Sequence, residues 1–346
     1  MVKPECRRPN RPLLTLAARL SAVVLLALAP VATLSAEEPL SAEPYWSHAL
    51  PAPAARVCAG DVDGDEQGEI LVAGSDGEIT LLEADGSTAW QVELDQVVTA
   101  ALLADLDGDG RLEVLLGSRR GVTALDSTGQ TRWFYRTAYP VQALAAGQSA
   151  QELSPGLLAA TEYEHVYRLS RDGKLVWHYT PASQGFGGRV TGLAAGDLDA
   201  DGRTEVALGF DFPGYKVLPP GGHILILDHD GAEIHRRREP SAVVSITTVD
   251  VDGWGRRLIV AGTAAGDLLV LFGEGAVRWQ RSLGSPIVAV LGADVDDDGR
   301  DEITAVAENT ILTLEEDGSV LWQSAQPLPA VGAAYGEVEG SAGRLL

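Results

Sequence analysis

The stretch DLDGDGRLEVLLG, Asp105 to Gly117, sets carboxylates at every second position, glycines among them, then a further acid and an apolar run. One copy would fit a metal loop or a solvated turn equally well. The chain, however, repeats it. DVDGDEQGEILVAG begins at Asp61, DLDADGRTEVALG at Asp197 and DVDDDGRDEITAV at Asp294, with weaker relatives at Asp250, Gln148 and Glu337. The seven starts, 61, 105, 148, 197, 250, 294 and 337, are spaced by 43 or 44 residues, stretching to 49 and 53 in the middle. A second series keeps the same phase: Trp46, Trp90, Trp133, Trp177, Trp279 and Trp322, with His235 in the missing place. Two independent markers at one period identify a repeat protein, and a period of about 40 to 50 is that of propellers and solenoids.

Each unit reads as strands. An inner run of small and β-branched residues (VTAALLAD, VTGLAAGD, IVAVLGAD) enters the acidic loop, two further apolar runs follow, and a Gly turn (ADG, RDG, HDG, EDG) leads to a strand carrying the tryptophan. Four strands in about 40 to 45 residues match a propeller blade, whose first strand is crowded at the axis and favours small side chains. The tryptophans are expected to pack between adjacent blades. The expected fold is an all-β propeller of four-stranded blades over residues 45–346, with seven blades, the last incomplete; six is the alternative.

The acidic loops resemble the FG-GAP and VCBS-type repeats of calcium-binding β-propellers, as in integrin α subunits, and the DG…W turns resemble quinoprotein-type repeats. The chain starts on one outer strand (Trp46) and ends within the first strands of the same unit (Pro329 to Leu346), which would close the ring by pairing its two ends.

Calcium takes six to eight oxygens from carboxylates and carbonyls on a Gly-containing loop. The candidate ligands are Asp61, Asp63, Asp65 and Glu69; Asp105, Asp107, Asp109 and Glu113; Asp197, Asp199, Asp201 and Glu205; and Asp294, Asp296, Asp298 and Glu302. The resemblance points to the same positions, although integrin-type loops more often close with Asp. Two to four calcium ions and no organic cofactor are expected, with the ions stabilising the fold. The competing reading is a metal-free turn whose carboxylates accept hydrogen bonds from their own loop amides. In the loop at Asp250, Trp254 and Leu258 replace two of the acids, so some blades are expected to fold without metal.

Residues 1–36 read as a secretory signal: Lys3, Arg7, Arg8 and Arg11 precede an apolar run from Leu20 to Leu34, and cleavage is expected after Ala36, followed by a short linker, 37–44. An uncleaved anchor is the alternative, and only then is membrane contact expected. The segment carries five basic residues and one acid, so its removal takes the formal charge from −23 to −27. Such a surface repels nucleic acid and attracts cations. Only Cys58 remains outside the segment, so an exported chain, periplasmic or extracellular, has no internal disulfide.

Propeller topology puts the acidic loops and the DG turns on one face. Both stretches that lengthen the period, Thr180 to Val190 and Gly209 to Gly222, belong to the other. Phe186, Phe210, Phe212, Tyr215 and Lys216 are expected to be exposed there, the alternative being that the aromatics pack the loops down; Arg119, Arg120 and the run Arg236 to Arg238 lie nearby, to meet an anionic partner or to balance local charge. This face is the candidate surface for a protein or carbohydrate partner. The six histidines show no ligand or triad spacing, and no nucleophile elbow or phosphate loop is present. A non-catalytic binding propeller is therefore the first reading. An exported enzyme, either quinoprotein-like or a polysaccharide lyase, or an envelope assembly scaffold is the alternative.

Overall fold

The structure is a computed structural model, and it describes residues 47–147, 156–181, 188–214, 219–251, 253, 255–295 and 298–324. The signal and linker, Trp46, Gln148, Phe186, Tyr215, Lys216, Trp254, Asp296 and Pro329 to Leu346 lie outside them. Six antiparallel four-stranded sheets follow in chain order: blade 1 at 54–93, blade 2 at 98–136, blade 3 at 141–179, blade 4 at 189–239, blade 5 at 243–282 and blade 6 at 287–323. In each, consecutive strands are hydrogen-bonded neighbours, and the first strands of successive blades pack against each other from blade 1 through blade 6. The described residues thus hold six blades, the smaller of the two numbers expected. The unit that would add a seventh falls outside them.

The alternation of each strand is used on both sides. In the second strand of blade 1 (Glu69–Gly74), Leu71 and Ala73 join Val114, Leu116 and Leu125 of blade 2 in one buried cluster, whereas Ile70 and Val72 join Leu82 and Leu50 in another. Every second strand is buried on both faces, which explains the continuous apolar runs. Blades approach closely where the second strand carries glycine. A Cβ on Gly117 would stand 2.6 Å from Val141 Cγ1, and one on Gly209 2.7 Å from Val243 Cγ1.

The tryptophan series and the DG turns are two halves of one contact. Trp90 Nε1 donates to Ser127 O at 2.9 Å, Trp133 to Arg171 O at 2.8 Å, Trp177 to His229 O at 2.8 Å and Trp279 to Glu316 O at 2.9 Å, each reaching the turn of the following blade. The ring covers the turn glycine: a Cβ on Gly173, at φ +72°, would lie 2.5 Å from Trp133 Cδ2. Glycine is required there both for the left-handed backbone and for the space. His235 does fill the vacant tryptophan place, covering Gly275. Trp322, on the outer strand of blade 6, is 44% exposed.

Candidate functional site

The four acidic loops join first to second strands. In each, the first Asp accepts loop amides: Asp61 Oδ1 from Gly64 at 2.7 Å, Asp105 Oδ1 from Gly108 at 2.6 Å, Asp197 Oδ2 from Gly202 at 2.9 Å and Asp294 Oδ2 from Gly299 at 3.0 Å. The third acid turns back to the amide two residues on, as Asp109 does to Arg111 N at 2.9 Å and Asp298 to Arg300 N at 2.9 Å. The closing Glu starts the second strand and reaches under the loop, where its Oε2 accepts the N–H following the first Asp: Val62 at 2.6 Å, Leu106 at 2.8 Å, Leu198 at 2.8 Å and Val295 at 2.7 Å. These bonds build the Asx-type turn expected of the loop itself.

Beyond the turn, the first, second and closing carboxylates converge. Ligand atoms of Asp61, Asp63 and Glu69, of Asp105, Asp107 and Glu113, and of Asp197, Asp199 and Glu205 lie within 4.8 Å of one another. The third acids Asp65, Asp109 and Asp201 are not in these groups, because they are turned to their own amides. In the loop at Asp294, Asp296 lies outside the described residues.

The three groups differ in what neutralises them. In blade 2, Arg132 enters from the outer strand, bonding Asp107 Oδ2 at 2.8 Å and the Glu113 carboxylate. The chain supplies its own cation to the loop that reads most like a metal site. In blade 1 the residue before the tryptophan is Ala89, and the space is a cavity of about 430 Å³ lined by Asp63, Glu69, Glu83, Ala89, Trp90 and Arg111. Glu69 is 1% exposed, and its Oε1 has no hydrogen-bond partner. Burial, above the nearby Asp63, Asp65 and Glu83 charges, pushes its carboxyl up to about 7. An orphaned carboxylate oxygen on a buried residue that lines a cavity, with ligand atoms of Asp61 and Asp63 within 4.8 Å of its own, fits a hard divalent cation held by Asp61, Asp63 and Glu69. Blade 2 does not fit one, since Arg132 would be repelled. Blade 3, whose loop keeps few acids, and blade 5, whose loop keeps Asp250 but has Leu258 in place of the closing acid, build the same four strands.

The opposite face carries an opening of about 890 Å³ lined by Arg56, Arg119, Arg189, Gln142, Glu162 and Asp211, among others. Arg119 comes from a second-to-third strand hairpin, whereas Arg56 and Arg189 lie on first strands. Arg189 pairs loosely with Asp211 at 3.6 Å. Arg120 points instead to Asp95 at 3.2 Å, an exposed pair of little energetic weight.

One expectation for this face is corrected, and for the arginine run the charge-balancing alternative holds. Phe210 and Phe212 are 0% and 5% exposed, because the second strand of blade 4 runs on through them (Glu205–Phe212) instead of ending in a loop. Phe210 stacks on His223 with centroids 4.1 Å apart, and Arg238 lies over Phe212 at 5.8 Å. Nor is the run Arg236 to Arg238 free. Arg236 bonds Glu164 at 2.7 Å and Tyr179 at 3.0 Å, Arg237 pairs with Glu239, and Arg238 donates to Pro219 O at 2.7 Å.

Sequence reasoning missed Arg132, Arg56 and Arg189, and also Asp228 and His229 on the DG turn of blade 4, which lie within 4.8 Å of Glu205. For Arg132 a signal existed, since it occupies the slot that Ala89 holds in blade 1. For the others the shared face was known, but not which side chains on it come within reach of one another. No helix among the described residues is long and apolar enough to cross a membrane.

Residues 31–202 match the family model of the outer membrane protein assembly factor BamB, just under half of the chain, and residues 258–335 match the β-propeller domain of lambda-carrageenase. The matches name these propellers and not FG-GAP or VCBS repeats. No curated protein matches the sequence. Among solved structures, the chain is similar to BBS1N, crystallised with ARL6DN and soaked with lead, at TM-score 0.63 and 11% identity, over 83% of this chain and 86% of that one. It is also similar to the Dos1 propeller at TM-score 0.57 and 8% identity, over 80% and 72% of the two chains. BamB from Moraxella catarrhalis aligns at TM-score 0.45 and 17% identity, over 81% and 92%. With six four-stranded sheets packed in chain order through their first strands, and with BBS1N and the Dos1 propeller as fold neighbours, the chain is a β-propeller.

Proposed function

We propose that the protein is an exported, non-catalytic binding propeller, braced by calcium on its acidic face and receiving a protein or carbohydrate partner on the other. The observation that carries the partner side is the opening lined by Arg56, Arg119 and Arg189 in a chain of formal charge −23. Guanidinium groups recognise carboxylate, sulfate or phosphate through paired donors, so an acidic partner is favoured. The braced side rests on the orphaned Glu69 oxygen in its cavity. The FG-GAP-like spacing of the loops supports the same ion.

The family match over 31–202 supports an envelope assembly scaffold as one form of this function, and BBS1N, a fold neighbour, was crystallised with a protein partner. The carrageenase match over 258–335 supports an acidic glycan as the other form. Site-specific photo-crosslinking in the exporting cell tests the assignment of faces. A probe in place of Arg119 is expected to give adducts, and one in place of Asp172, on the opposite face, none. Adducts from Asp172 alone, or equally from both, would overturn it.

A further inference from the structure

The DG turn of blade 4 differs from the others in sequence: it reads DHDG, and it sets a histidine beside the acidic loop of its own blade. Ligand atoms of Glu205, Asp228 and His229 lie within 4.8 Å of one another. Glu205 is 1% exposed, and its Oε2 is taken by the Leu198 N–H at 2.8 Å, which leaves Oε1 buried without a hydrogen-bond partner. The turn is held rigidly, since Trp177 Nε1 and Arg168 Nη1 both donate to the His229 carbonyl, at 2.8 and 3.1 Å. His229 Nδ1 faces Asp228 Oδ1.

We propose that Glu205, Asp228 and His229 form a binding site for a borderline divalent transition ion such as zinc, distinct in kind from the oxygen-only calcium site of blade 1. Imidazole nitrogen is a poor ligand for calcium and a preferred one for zinc, cobalt and nickel, and one nitrogen with two carboxylates is a donor set these ions accept. Glu205 belongs both to this group and to the Asp197 and Asp199 group, so blade 4 takes one ion, and the histidine decides which. The ring must be available. Arg203 Nη1 lies 2.6 Å from His229 Nε2, and a guanidinium only donates, so without metal Nε2 is the acceptor and Nδ1 carries the proton. Ligation through Nδ1 moves that proton to Nε2 and displaces Arg203. Its side chain is 52% exposed, and Asp201 Oδ2 already stands 3.8 Å from its Nε. The two donors that fix the His229 carbonyl favour affinity, because little ordering of the turn remains to be done on binding.

The site stands independently of the calcium reading and of any partner. The test is titration of EDTA-stripped protein with zinc by calorimetry, and with cobalt by its visible absorption. One ion per chain is expected, with affinity falling at least tenfold in His229→Gln and unchanged in Glu69→Gln. Asp228→Asn, which keeps size and turn, is expected to weaken zinc as well and guards against misfolding of the histidine variant. Millimolar calcium should compete poorly. Absence of stoichiometric zinc, or zinc binding that survives both His229→Gln and Asp228→Asn in folded protein, would overturn the site.

Discussion

The Arg132 guanidinium bonds the Glu113 carboxylate inside the very loop whose sequence reads most like a cation site. Glu113 is 5% exposed, so removing the arginine strands a buried carboxylate. Leaving such a group unpaired costs about 2 kcal/mol. Arg132→Gln, placed in a Glu69→Gln background to silence blade 1, should lower the melting temperature by several degrees in EDTA and recover much of it in millimolar calcium. Unchanged melting, or no calcium response, would show that Arg132 is not the internal counter-ion.

The tryptophan contact predicts unequal costs along one series. Trp133 belongs to a core between blades 2 and 3 and caps the Gly173 turn, so Trp133→Ala should cost about 3 kcal/mol in a urea unfolding curve. Trp322 is 44% exposed, and Trp322→Ala should cost less than about 1 kcal/mol. Equal costs would contradict the account of blade packing.

The propeller was legible because its rules are local and repeated. DxDxDG loops, DG turns and an in-phase tryptophan each act within a few residues or on the next unit, and repetition raised them above coincidence. What was not legible depended on neighbours remote in sequence. Arg132 fills one acidic loop while Ala89 leaves another open, and nothing within DLDGDGRLE reveals that difference. Phe210 and Phe212 read as loop aromatics because the longer period suggested an insertion, whereas part of the extra length went into a longer strand pair (Glu205–Phe212 with Gly221–Leu227). The sheet of blade 4 brings His229 beside Glu205, although its sequence spacing resembles no ligand motif.

A buried ion network gives a pH prediction. Burial pushes the Glu164 carboxyl up, but His223 at 3.2 Å and Arg236 at 2.7 Å outweigh it and hold it below its usual value. Tyr163 and Glu164 sit at φ 63° and 65°, a left-handed backbone that non-glycine residues adopt only when held. A depressed carboxylate stabilises the fold above its unfolded pKa and stops doing so as pH falls through the folded value. Glu164→Gln should therefore cost about 3 kcal/mol at pH 7, and the difference from wild type should shrink below about pH 4. A pH-independent difference would exclude the charge as its source.

Burial pushes the Cys58 thiol up to about 11, only partly offset by Arg56. Thiolate is the reactive form, so Cys58 in folded protein should react with a disulfide reagent at pH 8 more than tenfold slower than in urea. Comparable rates in both would mean that the first strand of blade 1 is not packed as described.

The most direct test is a count of calcium ions by native mass spectrometry, with paired thermal melts in EDTA and in millimolar calcium, for wild type and Glu69→Gln. The account predicts calcium on the wild-type chain with a clear rise in melting temperature, and one ion fewer with a smaller rise in Glu69→Gln. No bound calcium in wild type, or the same count and rise in both proteins, would contradict it and leave the blade 1 loop as a hydrogen-bonded turn.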